Sequence, residues 1–158
     1  MAAKPKRPNQ ARVVSGDTPV SPERSAQMAL VKARDTKPEI RVRKAAHAMG
    51  LRYRLNVRKL PGSPDLVFPS RKVVTFVHGC FWHRHKRCKA TRTPKSRIAF
   101  WEQKFAENMA RDQRAYRALR KAGWKIFIIW ECETSQIDKV TAVLQQILSE
   151  GMKPTNPK

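Results

Sequence analysis

The stretch FVHGCFWHRHKRC, Phe76 to Cys88, holds three of the chain's four histidines and two of its three cysteines. Within it, Cys80-x4-His85-x2-Cys88 offers three soft or borderline ligands, and Cys132 stands far downstream, directly after the apolar run WKIFIIW. Three thiolates and one imidazole form a closed tetrahedral set for Zn2+. The opposing reading, stray cysteines beside a histidine-rich surface loop, is the weaker one, because the odd count also fits poorly with a disulfide framework. If the ion is there, the chain must fold so that this loop returns to the end of a later strand. A closed site leaves no position for water, so the ion would be structural, pinning a loop with few apolar residues of its own.

Charge narrows the partner. Lys and Arg number 34 against 12 acids, a formal net charge of +22. That balance points to a polyanion, either nucleic acid or an anionic membrane face. No apolar run approaches the roughly 18 residues needed to span a bilayer, and no signal-peptide pattern opens the chain. A cytoplasmic protein acting on nucleic acid is therefore expected. At 158 residues the chain has the length of one domain. Residues 1–24, rich in Pro and basic side chains, read as a disordered basic arm, and 151–158 (GMKPTNPK) as a flexible tail, leaving 25–150 as the domain.

Between the tails the pattern predicts α-β-β-loop-α-β-α, an α/β domain with a mixed sheet and helices packed on it. Thr36-Lys37-Pro38-Glu39 is a capping-box pattern that opens a helix to about Met49, stopped by Gly50. DLVF and KVVTFVH, separated by Pro69-Ser70-Arg71, predict a hairpin. Residues 97 to about 121 predict the longest helix, closed by Gly123. WKIFIIW is apolar on both alternating faces and predicts a central buried strand. A last amphipathic helix is expected from Ile137 to about Leu148.

Zinc does not account for every polar residue. The predicted hairpin sets Asp65 opposite Thr75 with Val77 diagonal on the same face, so a carboxylate, a strand carbonyl and His78 could converge beside His83. An aspartate with a carbonyl oxygen is hard-ligand chemistry, suited to Mg2+. Taken alone, Asp65 reads better as a turn residue after Gly62-Ser63-Pro64. On the long helix Trp101, Phe105, Met109, Tyr116 and Leu119 share one stripe, with Asn108 and Asp112 in its middle. Polar groups on a core-facing stripe need partners. They either cap a neighbouring backbone or look into a polar site, where His83 or His78 would suit Asp112. Glu39 is accounted for by the cap, although it shares a face with Val42 and Ala46. His47 is read as surface or packing. Arg111, Arg114, Arg117, Arg120 and Lys121 read as a solubilising face, with some available to phosphates.

LPGSPD, FVHGCFWHRHKRC, TRTPKSRIAFW, KFAENMARD and GWKIFIIWEC together resemble the very-short-patch-repair (Vsr) DNA mismatch endonucleases, over about Ser25 to Cys132. The resemblance implies a restriction-endonuclease-like mixed central sheet flanked by helices and stapled by a structural zinc. It implies an enzyme that nicks DNA 5′ of the T in T:G mismatches, the product of 5-methylcytosine deamination. Carried over by position, it makes Asp65 the Mg2+ carboxylate and the backbone carbonyl of Val77 a second ligand. His83 becomes the general base, held by Asp112, His78 a contact to the scissile phosphate or a metal-bound water, and Glu39 a partner of waters around the metal. Cys80, His85, Cys88 and Cys132 become the zinc ligands. Phe81, Trp82 and Trp101 become a wedge entering from the major groove, and Met28 an insertion from the minor groove. Valine at 77 departs from the threonine of well-known members, which is harmless if only the main-chain oxygen binds. The resemblance further implies a monomer at the bacterial nucleoid, linked to a cytosine methyltransferase and to a MutL-like repair protein. Two other readings stand beside it: a related nuclease or nickase without mismatch specificity, and a non-catalytic zinc protein that binds nucleic acid.

Overall fold

The computed structural model describes residues 34–150 apart from 56. The basic arm, Met28 and the C-terminal tail lie outside the described residues. Helix α1 (Lys37–Ala48) opens at Thr36, whose hydroxyl accepts from the Glu39 amide, and closes before Gly50 at φ 73°. Strand β1 (Arg54–Leu55) is a two-residue element that the sequence pattern does not announce. Strands β2 (Leu66–Phe68) and β3 (Val73–His78) form the expected hairpin. After the ligand-rich loop comes α2 (Ile98–Lys121), then β4 (Lys125–Trp130) and α3 (Ile137–Ser149). The sheet order is β1-β2-β3-β4, antiparallel except for the parallel β3–β4 pair that α2 connects. The expected mixed sheet flanked by helices is what forms.

Two apolar cores sandwich this sheet. On one face α1 and α3 contribute Val42, Ala46, Val140, Leu144 and Ile147 against Leu66, Phe68, Val73 and Ile129. On the other, Tyr116 and Leu119 of α2 meet Val67, Val74 and Phe76. Alternation along the strands does this directly, since neighbouring residues point to opposite faces.

Three expectations need correction. The hairpin pairs Leu66, not Asp65, with Thr75. Lys72 adopts a left-handed conformation (φ 54°) and joins the turn, which therefore has four residues, not three. Continued one step beyond the ladder, this register sets Asp65 against Phe76, and a one-residue slip exchanges faces. Asp65 thus belongs with Phe76 and His78 on the α2 side, and it meets Val77 only through the backbone. Second, β4 is an edge strand among the described residues, while β3 is central. Its two apolar faces report helices on both sides, not strands on both sides. Third, Met109 is exposed (43%), although the stripe of α2 placed it inside. At 24 residues α2 is about 36 Å long, whereas a six-residue strand covers about 20 Å. Its first half therefore runs past the sheet and covers the ligand-rich loop.

Candidate metal knot and cleavage site

The ligand atoms of Cys80, His85, Cys88 and Cys132 all lie within 4.8 Å of one another. His85 Nδ1 stands 3.6 Å from the Cys80 sulfur and 3.3 Å from the Cys132 sulfur. A tetrahedral divalent ion with the usual metal–sulfur and metal–nitrogen bonds needs ligand separations of about 3.6 Å. The set therefore fits such an ion. The donor set suits one too, since three sulfurs and an imidazole nitrogen are the ligands of a closed zinc site. Burial alone pushes the Cys80 thiol up to about 12, so its thiolate would need the cation beside it. Secondary contacts fix the parts. The His85 ring stacks on Trp130 at 4.2 Å and 4°, and the Glu131 carboxylate accepts from the Cys80 amide at 3.3 Å. Cys132 lies two residues past the end of β4, in the turn Glu131–Glu133, so an ion in this set would tie the loop to the end of the sheet.

Next to the knot is a cavity of about 430 Å³ lined by Glu39, Asp65, Val77, His78, His83 and Asp112, among others. Asp65 enters from the turn before β2. Its amide donates to the Thr75 carbonyl at 3.1 Å, and its carboxylate accepts from the Val77 amide at 2.7 Å. Burial pushes the Asp65 carboxyl up to about 6, against the lowering pull of that amide, and nearby Glu39 raises it further. A cation beside Asp65 and Glu39 would restore the ionised form, so these oxygens suit a hard divalent ion. The turn that delivers Asp65 is itself pinned. Gly62 sits at φ 75°, and a Cβ built on it would lie 2.8 Å from the Ala115 Cβ.

His78 and His83 stack at 3.7 Å with their planes 8° apart. His83 Nδ1 donates to the Asp112 carboxylate at 2.5 Å, because an ionised carboxylate only accepts. His78 is buried and its Nε2 is hydrogen-bonded with the Tyr116 hydroxyl. Burial, with His83 alongside, lowers the His78 pKa to about 4, so this ring is neutral. His78, His83 and Asp112 also lie close enough to share an ion. Stacked rings, however, carry their nitrogen lone pairs in parallel planes that do not converge, and the arrangement suits a hydrogen-bonded set better than a metal seat. A second opening, about 440 Å³, adjoins the first through Glu39, Val77, His83 and Arg111, and adds Trp82, Asn108 and Glu131.

Aromatic rings gather on the loop's outer side. Phe81 makes edge contacts with Trp82 at 5.1 Å, Trp101 at 5.4 Å and Phe105 at 5.1 Å. Phe81, Trp82 and Trp101 are each half-buried. The Asn108 amide donates to the Trp82 carbonyl at 3.4 Å. Both polar residues within the α2 stripe thus have partners on the loop, Asn108 at Trp82 and Asp112 at His83. Glu39 keeps its capping role through the Thr36 hydroxyl (2.8 Å) and the Asp35 amide (3.0 Å), with Arg43 at 2.8 Å, and it lines the cavity as well.

Two residues escaped the sequence reading. Arg111, assigned to a solvent face, lines both openings. Its spacing from Asn108 and its adjacency to Asp112 were the available signal. Tyr116, assigned to the core stripe, also reaches His78, and its type gave no sign of that.

Carboxylates, an imidazole held by one of them and Arg111 in one cavity, on a chain of formal net charge +22, suit hydrolysis of a phosphodiester. The sequence profile of the DNA mismatch endonuclease Vsr matches residues 17–90. Type II nicking enzyme V.XorIIP of Xanthomonas oryzae pv. oryzae is 47% identical over 130 residues, covering 82% of this chain and 95% of that one. The DNA mismatch endonuclease Vsr of Escherichia coli is 38% identical over 118 residues, 75% of each chain. Type II nicking enzyme V.NmeAIP of Neisseria meningitidis is 41% identical over 111 residues, 70% of this chain and 79% of that one. The class is accordingly that of a DNA endonuclease. Within it, the chain belongs to the DNA mismatch endonuclease Vsr family. DNA is its substrate. No helix among the described residues is long and apolar enough to cross a membrane.

Proposed function

We propose that this enzyme nicks DNA on the 5′ side of the T in T:G mismatches, using Mg2+ at Asp65 and Zn2+ at Cys80, His85, Cys88 and Cys132. The observation that carries the reading is the convergence of Asp65, Val77, His83 and Asp112 on one cavity beside the knot. Asp65 and the main-chain oxygen of Val77 would hold Mg2+, and Glu39 would accept hydrogen bonds from waters around it. Bound there, Mg2+ would supply water activation and charge neutralisation at the phosphate.

The chain's own groups do the rest. Asp112 takes the Nδ1 proton of His83 into a hydrogen bond, which leaves Nε2 with its lone pair. That nitrogen removes a proton from the attacking water, and the carboxylate stabilises the imidazolium formed. His78 contacts the scissile phosphate, and Arg111, exposed at the shared wall of both openings, offers it a guanidinium. Phe81, Trp82 and Trp101 wedge into the duplex from the major groove, and Met28 enters from the minor groove. A T:G step stacks less well than a paired one, so opening it costs less, and that difference selects the mismatch. The activity links the enzyme to a cytosine methyltransferase, whose product deaminates to give the mismatch, and to a MutL-like repair protein. It acts as a monomer at the nucleoid.

A second reading is favoured by the relatives named as type II nicking enzymes: the same chemistry without dependence on a mismatch. Cleavage of matched and T:G duplexes, with Mg2+ added or omitted, separates the two. Nicking of the T:G duplex alone, and only with Mg2+, is expected. Equal nicking of both duplexes would remove the mismatch specificity and keep the nuclease.

A further inference from the structure

Nothing in the chemistry above uses Tyr116, yet its hydroxyl is committed to the site. The side chain is 6% exposed, and its ring packs against Phe76 with centroids 5.3 Å apart. A leucine or phenylalanine would meet that packing need. The hydroxyl instead leaves the apolar core and meets Nε2 of His78, which is itself 6% exposed. A buried phenol needs a hydrogen-bond partner, and this imidazole nitrogen provides one.

The partner's identity has consequences. A neutral imidazole has two tautomers, and its neighbours decide which is present. Asp112 does not claim the His78 Nε2 proton. Its nearer oxygen is 4.0 Å away, beyond hydrogen-bond range, and already receives His83 Nδ1. A phenol donates more strongly than it accepts, so the Tyr116 hydroxyl donates into the Nε2 lone pair. The His78 proton then sits on Nδ1, where the ring is a donor that an anionic oxygen can accept from.

Asp112 and Tyr116 are four residues apart on α2 and so lie one above the other on one face. One holds the edge of His83, the other the edge of His78, and the two rings stack within 8° of parallel. We propose that Tyr116 is a positioning residue for cleavage: its hydroxyl fixes the tautomer and plane of His78, as Asp112 does for His83. A single turn of α2 thereby sets both imidazoles. The proposal rests on the reading that His78 contacts the scissile phosphate.

Tyr116→Phe keeps the ring and removes the oxygen, so it tests the hydroxyl apart from the packing. In the full chain without DNA, imidazole 15N shifts of His78 read the tautomer. Wild type is expected to show a protonated Nδ1 and a bare Nε2, and the variant a mixed or reversed state. On a T:G duplex with Mg2+, kcat is expected to fall roughly tenfold with KM unchanged. An unchanged tautomer in the variant overturns the proposal whatever the cleavage rate. His78→Ala distinguishes the remaining failures. If it cleaves like wild type, the phosphate role of His78 fails and takes this proposal with it. If it loses cleavage while Tyr116→Phe does not, His78 keeps its role and the positioning by Tyr116 is overturned.

Discussion

The two faces of the sheet solve different problems with different means. Beneath α1 and α3, Val42, Phe68, Val73, Leu144 and Ile147 are wholly buried and apolar, and burial of that surface is a sufficient reason for the face to form. Beneath α2 the apolar cluster is smaller, and toward the end of β3 it gives way to Asp65, His78, His83 and Asp112. That region cannot be held by apolar burial, because its residues have to stay polar and reachable. It is held by hydrogen bonds from α2 and by close backbone contact at Gly62, and in the proposed mechanism by an ion at Cys80, His85, Cys88 and Cys132. The larger apolar core thus lies on one face and most of the polar cavity on the other, with Glu39 of α1 reaching that cavity from the first.

Removing the knot should separate the faces most strongly. Cys80→Ala deletes a buried ligand, and metal binding of this kind supplies folding free energy directly. The variant should lose its bound metal and amide protection across residues 79–97, with cleavage abolished, while β2, β3 and α3 stay protected. Hydrogen exchange with metal analysis checks this, and uniform loss of protection would mean that the faces are not independent. Leu144→Ala probes the opposite side. It should lower unfolding free energy by about 2–5 kcal/mol, as for other buried leucines, with cleavage per folded molecule unchanged. Denaturant titration beside a cleavage assay measures both. A smaller and mixed effect belongs to Gly62→Ala, since the left-handed backbone and the 2.8 Å approach to Ala115 both resist a Cβ. About 1–3 kcal/mol of stability should go, together with some activity, because Asp65 follows three residues later. Adding Ala115→Gly should return part of the stability by relieving the contact, though not the backbone strain.

How much of this was legible follows the same division. Local signals were readable: the Thr36 cap, the stops at Gly50 and Gly123, and the spacing of Cys80, His85 and Cys88 with a distant Cys132. Each is decided by a few neighbouring residues or by strict ligand chemistry. What failed depended on lengths and partners. The hairpin register turned on whether Lys72 ends the turn or begins the strand, and its left-handed conformation decided that. β4 reads the same at an edge or a centre when helices cover both faces. Met109 obeyed the helical period but lay beyond the sheet that the period was meant to meet. Arg111 and Tyr116 were placed correctly on α2, yet their connection to the cavity depends on how α2 crosses the loop. Such tertiary pairings have no local signature.

In the proposed mechanism the cavity at Asp65 performs the cleavage and the knot only holds it in place. Asp65→Asn replaces the carboxylate by a neutral group of the same shape, leaving the knot's four ligands intact. The decisive measurement is single-turnover cleavage of a T:G duplex by this variant, with bound metal and duplex affinity determined on the same sample. A loss of about a thousandfold in rate is expected, with knot metal and duplex binding retained. Cleavage at the wild-type rate by the metal-loaded variant would mean that the Asp65 carboxylate is not needed and that the chemistry lies elsewhere.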